Sequence, residues 1–149
     1  MMMRKHVLIV DDDASLASFV VETLSWASED YRLSVARSGE EALERLHRGP
    51  VDLVITDLWM PGIDGLMLIR WLRAFRPRTP AILMTGDTRR DVRVRARRCG
   101  AWRTVPKSGD FLRQLERAVR DALAASGGRG DGQGSAGSAG PRDGKDPIR

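Results

Sequence analysis

At 149 residues the chain has room for one domain with a proper core, and a second domain is not expected. No apolar run approaches the ~20 residues that cross a bilayer, and Met1-Met2-Met3-Arg4-Lys5-His6 leads into a strand-like run without a cleavage site, so a cytoplasmic protein with no membrane partner is expected. The net charge of +5 raises nucleic acid or acidic protein as partners, yet the basic residues concentrate in Arg89, Arg90, Arg93, Arg95, Arg97 and Arg98 without interleaved aromatics, which fits a solvated helix face better than a nucleic-acid platform.

In chain order, Lys5 to Asp11 reads as a strand. A helix follows with Leu16, Val20, Leu24 and Ala27 on one stripe. A second strand is expected at Tyr31 to Ala36, and Ser38-Gly39-Glu40-Glu41 is a capping box opening a helix that Gly49-Pro50 stops. The third strand, Val51 to Asp57, leads through a turn to a helix starting near Asp64, which packs through Leu66, Ile69 and Leu72 and ends before Arg76-Pro77. Ala81 to Thr85 is the fourth strand, followed by a short, basic helix. Cys99 at its end reads as a small buried hydrophobe; a lone cysteine excludes an internal disulfide and a multi-cysteine metal site. Trp102 to Val105 is the fifth strand, and a last helix from about Asp110 shows Leu112, Leu115, Val119 and Ala122 on one face.

Strands alternating with helices point to a five-stranded parallel sheet with helices on both faces. From Ser126 the composition changes, with eight of the fifteen glycines in residues 126–149. Residues 1–125 are therefore expected to form the domain and 126–149 a disordered Gly/Ser-rich tail, since such a segment buries too little apolar surface to offset its ordering entropy.

In an open parallel sheet the reactive crevice lies beyond the carboxyl ends of the strands. Asp11, Asp12, Asp57 and Thr85 all sit at such ends, and Lys107 follows the fifth. Three carboxylates packed together repel one another unless a cation fills the cluster, and a hard divalent ion such as Mg2+ suits oxygen ligands while leaving positions open for phosphoryl oxygens. A carboxylate beside that metal can attack phosphorus, with the lysine and hydroxyl neutralising charge on the equatorial oxygens. Helix capping is the other common use of aspartate at these junctions, and it suits Asp13 and Asp64 better than the site.

The combination of Val10-Asp11-Asp12, Asp57-Leu58-Trp59-Met60-Pro61-Gly62-Ile63-Asp64-Gly65, Met84-Thr85-Gly86, Cys99-Gly100-Ala101 and a lysine after the fifth strand closely resembles the receiver domain of bacterial two-component response regulators, over about residues 4 to 124. The resemblance implies a doubly wound, flavodoxin-like (βα)5 fold and a stand-alone response regulator, not an enzyme in the usual sense. It implies Mg2+-dependent transfer of a phosphoryl group from a sensor histidine kinase or phosphotransfer protein to Asp57, giving an aspartyl phosphate that later hydrolyses. Carried over by position, Asp57 is acceptor and metal ligand, Asp12 ligates directly, Asp11 through water, and Trp59 through its main-chain carbonyl. Thr85 would bond one phosphoryl oxygen and Lys107 pair with another, while Gly86 leaves the approach to phosphorus open. The signal would leave through contacts with an output protein or a second copy of the chain.

The chain departs from that pattern in several places. Thr104 stands where receivers usually carry an aromatic ring that turns inward on activation, and Ser108 replaces the proline expected after the lysine, with Pro106 before it. Trp59 puts a large indole at the mouth of the site, where it would shield an acyl phosphate from water. Met67 and Trp71, four apart on the third helix, either cover the core or form an exposed apolar patch. Two other functions compete: a receiver-shaped binding module that works without phosphorylation, and a haloacid-dehalogenase-like phosphatase in which Asp11 is nucleophile and Asp13 acid/base. The second leaves Asp57 unexplained.

Overall fold

A computed structural model describes residues 4–131. Five strands, β1 (Lys5–Val10), β2 (Tyr31–Ala36), β3 (Leu53–Asp57), β4 (Ala81–Thr85) and β5 (Arg103–Pro106), alternate with α1 (Ala14–Ala27), α2 (Gly39–Arg48), α3 (Gly65–Phe75), α4 (Arg90–Cys99) and α5 (Phe111–Asp131). All strand pairs are parallel, in the order β2-β1-β3-β4-β5. This is the doubly wound, flavodoxin-like sheet.

The period of two along each strand divides the core. Leu8, Val10, Val54 and Leu83 point to one face, where Ala42 and Leu46 of α2, Leu68, Ile69 and Leu72 of α3, and Val92 and Ala96 of α4 cover them. Val7, Ile9, Ile55, Ile82 and Met84 point to the other, under Val20 and Leu24 of α1 and Leu115, Val119 and Ala122 of α5. Both central strands, β3 and β4, are buried throughout, which is why they read as continuous apolar runs.

The helix starts follow the capping residues. Asp13 accepts from the Leu16 amide at 3.1 Å and Asp64 from the Met67 amide at 2.9 Å. Ser38 accepts from the Glu41 amide at 3.0 Å, but Glu41 reaches back to Arg37, one residue before the cap. Cys99 is half-buried against the α2–α4 core, and burial pushes its thiol above the usual range.

Four elements differ in their bounds from the sequence reading, the first being β1, which ends at Val10 and not at Asp11. β3 begins at Leu53, not Val51, because the Asp52 carboxylate takes the His6 amide at 2.8 Å and replaces a ladder bond with a side-chain one. β5 is shifted by one residue to include Pro106, tolerated because β5 is an edge strand. α5 continues to Asp131, past the expected tail boundary at 126. A docked helix propagates cheaply, each further residue adding a hydrogen bond without a new nucleus. Residues 132–149 of the expected tail lie outside the described residues.

Two glycines after the reactive strands differ sharply in their surroundings. A Cβ on Gly65 would come within 2.2 Å of the Asp57 carbonyl oxygen, whereas one on Gly86 meets nothing within 4 Å. Gly65→Ala is therefore expected to destabilise the fold by about 1–3 kcal/mol, and Gly86→Ala to stay within about 0.5 kcal/mol of the parent, as measured by urea unfolding.

Candidate functional site

The sheet order reverses between β1 and β3, so their carboxyl ends flank the crevice where an α/β sheet places its chemistry. Register decides which side chains meet there. Val10 is level with Thr56, so Asp11 and Asp57, the next residues, sit side by side. Asp57 is level with Met84, which puts Thr85 one step beyond it, and Thr85 is level with Pro106, which brings Lys107 to the same end. The Lys107 amide bonds the Thr85 carbonyl at 2.8 Å and fixes where the ammonium starts.

Ligating atoms of Asp11, Asp12 and Asp57 all lie within 4.8 Å of one another. Lys107 Nζ is 2.6 Å from Asp57 Oδ1 and 4.0 Å from Asp11 Oδ2. Asp12 is exposed, Asp57 is nearly buried at 9% exposure, and Asp11 is fully buried. The Asp13 amide donates to Asp11 Oδ1 at 2.9 Å, but Asp11 Oδ2 has no hydrogen-bond partner. Burial, reinforced by the charge of Asp57, pushes the Asp11 carboxyl up from 3.8 to about 6.

An orphaned, buried carboxylate oxygen beside two further carboxylates is the donor set of a hard divalent cation, and the residues fit one. The Thr85 side chain is buried, and its Oγ1 accepts from the Asp87 amide at 2.9 Å. Its hydroxyl hydrogen is thereby left to donate to a ligand. Asp87 itself is engaged by the Arg89 guanidinium at 2.7 Å, which holds its carboxyl below the usual range.

Asp11, Asp12, Asp57 and Lys107 come together, register brings Thr85 to the same end of the sheet, and Trp59, two residues past Asp57, is 62% exposed. Asp13 does not join them, its carboxylate being spent on the cap of α1, which removes the acid/base of the phosphatase reading. Every peptide bond among the described residues is trans, Lys107–Ser108 included, and the ammonium still reaches Asp57.

Two supporting residues were not foreseen. The Thr56 hydroxyl donates to the Asp57 carbonyl at 2.9 Å, fixing the main chain of Asp57. Glu40 on α2 accepts from the Ile63 amide at 3.1 Å, holding the loop after Asp57 across a separation of 23 residues. Its only trace in the sequence was an acid next to Glu41, the acid of the capping box, and nothing local signals that its target is the Asp57 loop.

The raised Asp11 pKa carries a sign. In the unfolded chain the group ionises near 3.8 and in the folded one near 6, so the folded state binds more protons between those values and stability falls as pH rises through them. With divalent ions chelated, Asp11→Asn is expected to be more stable than the parent at pH 7 by about 1–3 kcal/mol, with the gain vanishing near pH 4. Thermal unfolding in chelator at the two pH values measures it, and equal stability at pH 7 would contradict the reading.

Comparison with known proteins follows the same lines. A family model described as response regulator receiver domain matches residues 7–120. The chain is 37% identical over 123 residues to the transcriptional regulatory protein GlrR of Escherichia coli K12, covering 81% of this chain and 27% of that protein. It is 33% identical over 121 residues to the DNA-binding transcriptional regulator NtrC of the same organism, covering 79% and 25%. The chain thus spans about a quarter of the length of these relatives. Among solved structures, the signal receiver domain of an HD domain-containing protein from Pseudomonas fluorescens Pf-5 superposes with a TM-score of 0.77 at 31% identity, covering 84% of this chain and 98% of that one. A CheY-like receiver domain from Methanospirillum hungatei JF-1 shares the fold, with a TM-score of 0.77 at 24% identity over 85% and 98% of the two chains. With this match across most of its length, the chain belongs to the response regulator receiver domain family, a signalling domain and not a classical enzyme.

Proposed function

We propose that Asp57 accepts a phosphoryl group from the phosphohistidine of a sensor histidine kinase or phosphotransfer protein, that the reaction depends on Mg2+, and that the phosphorylated domain signals through protein contacts. The observation that carries this reading is the Asp11 Oδ2 without a hydrogen-bond partner, buried beside Asp12 and Asp57, whose charge Lys107 at 4.0 Å offsets only in part and a bound cation would complete.

Asp11, Asp12 and Asp57, with the Trp59 main-chain carbonyl, would hold the ion. When bound, it supplies charge neutralisation to phosphoryl oxygens. An Asp57 carboxylate oxygen attacks phosphorus, the phosphorus–nitrogen bond breaks, and the imidazole leaves with the electron pair. Lys107, now on Asp57 Oδ1, moves its charge to a phosphoryl oxygen as the carboxylate becomes an acyl phosphate. The Thr85 hydroxyl, already oriented by the Asp87 amide, donates to a second oxygen. Membrane crossing plays no part in this reading, and no described helix is long and apolar enough for it.

Incubation with acetyl phosphate is expected to add one phosphoryl mass in Mg2+ and none in chelator, and none to Asp57→Ala in either. Lys107→Ala is expected to slow acceptance by about 100-fold, the scale of losing one charge-stabilising donor. Absence of added mass in Mg2+ would favour the phosphorylation-independent binding module, to which Thr104 and Ser108 point.

The exposed indole of Trp59 stands two residues past the acceptor. Removing its bulk should admit water. Trp59→Asn, phosphorylated and freed of donor, is expected to lose its phosphoryl group faster than the parent by mass spectrometry; an unchanged or slower loss would leave the ring without a shielding role.

A further inference from the structure

We propose that the cleft between α4 and β5 is a binding pocket for a phosphate group, carried by a small molecule or free in solution. A cavity of about 260 Å³ opens there, lined by Arg93, Arg97, Ala101, Trp102, Arg103 and Thr104. Arg93 and Arg97 stand about one helical turn apart on α4, and neither has an ion pair among the described residues. Arg93 Nη1 donates to the Thr88 carbonyl at 3.3 Å, which places the guanidinium without neutralising it. Arg103 is held differently. Its guanidinium carbon lies 4.6 Å from the centroid of the Trp102 ring and its Nη1 lies 3.2 Å from Asp121 Oδ2, so it forms a fixed wall. Donors placed in advance lose little entropy when a ligand arrives.

The charge and shape of the cleft select its occupant. Its lining holds three arginines and no carboxylate, and Asp91 is the only acid of α4. Asp87 and Asp121 are each paired with an arginine. A dianion gains about twice the Coulomb attraction of a monoanion from the same cations. Planar guanidinium forks match phosphate oxygens in pairs, and the Thr104 hydroxyl on the cavity wall can donate to another. A nucleic-acid strand fits less well, because it needs exposed rings to stack on, and the Trp102 ring is partly buried and covered by Arg103. The basic cavity at the start of β1 and β2, lined by Arg4, Lys5 and Arg32, has the Asp52 carboxylate in its wall, which repels the same ligand. The cleft is also separate from the Asp57 site. Thr104 is level with Leu83, on the sheet face that α4 covers and not at the carboxyl end of the strands.

Titration of the full chain with glycerol phosphate in chelator, followed by heteronuclear NMR and calorimetry, tests the assignment. Saturable binding is expected, with shifts at the amides of Arg93, Arg97, Ala101 and Thr104, and none with glycerol. Inorganic phosphate in parallel identifies the source: equal or tighter binding of the ion assigns free phosphate, and tighter binding of the ester assigns a phosphorylated small molecule. Arg93→Gln and Arg97→Gln should each weaken binding by about tenfold, and Thr104→Tyr should abolish it by filling the cavity. Arg95→Gln, exposed on the same helix but outside the cleft, should stay within about twofold of the parent. Arg93, Arg95 and Arg97 are exposed, so their variants should keep the parent's far-UV circular dichroism. Absence of saturable binding to either phosphate probe overturns the proposal. So do shifts confined to Asp11, Asp57 and Lys107, or a loss in Arg95→Gln as large as that in Arg97→Gln. A single-stranded oligonucleotide that binds Thr104→Tyr as well as the parent would assign the face to nucleic acid and overturn the pocket.

Discussion

The burial of Asp11 is the constraint on which the rest of the structure depends. A carboxylate with no exposed surface and one orphaned oxygen is an unfavourable thing to fold around, and its neighbours Asp12 and Asp57 make it worse. Lys107 offsets part of that charge, bonding Asp57 and standing 4.0 Å from Asp11. In the proposed reading a bound cation would offset the remainder and present positive charge to phosphoryl oxygens. Stability is traded locally for chemistry, and the apolar layers on both faces of the sheet carry the cost.

Asp57 is fixed by its surroundings at several points. Its carbonyl takes the Thr56 hydroxyl and lies too close to Gly65 to admit a side chain there, while the Gly65 amide bonds the Leu58 carbonyl at 2.9 Å. Glu40 ties the same loop to α2. Any change in charge at Asp57 therefore has a short mechanical path to α2 and α3, through contacts that each end on a main-chain atom of the Asp57 segment. The family's aromatic reporter on β5 is replaced by the partly buried Thr104, which leaves the packing on that side of the sheet with no ring to reorient. The surface most directly tied to the acceptor loop is thus the one that bears Met67, Trp71 and Phe75.

Much of this was legible in the chain. Apolar runs located the strands and apolar stripes most of the helices, because burial in a sheet or on a helix stripe acts residue by residue along the sequence. Asp13, Ser38 and Asp64 marked helix starts because a cap is satisfied within three residues. Asp11, Asp12, Asp57, Thr85 and Lys107 were legible as strand-end residues once a parallel sheet was inferred. The boundaries of β3 and α5 were not, since one turned on a side chain bonding a distant amide and the other on helix propagation past the last docked turn.

The sequence by itself determined the alternation of elements and the residue types at the strand ends. Only the tertiary structure decided that Asp11 is fully buried with an unpartnered oxygen, that Lys107 reaches Asp57 through a trans peptide, and that Glu40 and Thr56 secure the acceptor loop. Residue type and spacing are local properties, written along the chain. Burial, charge compensation and bonds between distant residues depend on which strands become neighbours and in what register, and those arise only when the sheet is assembled.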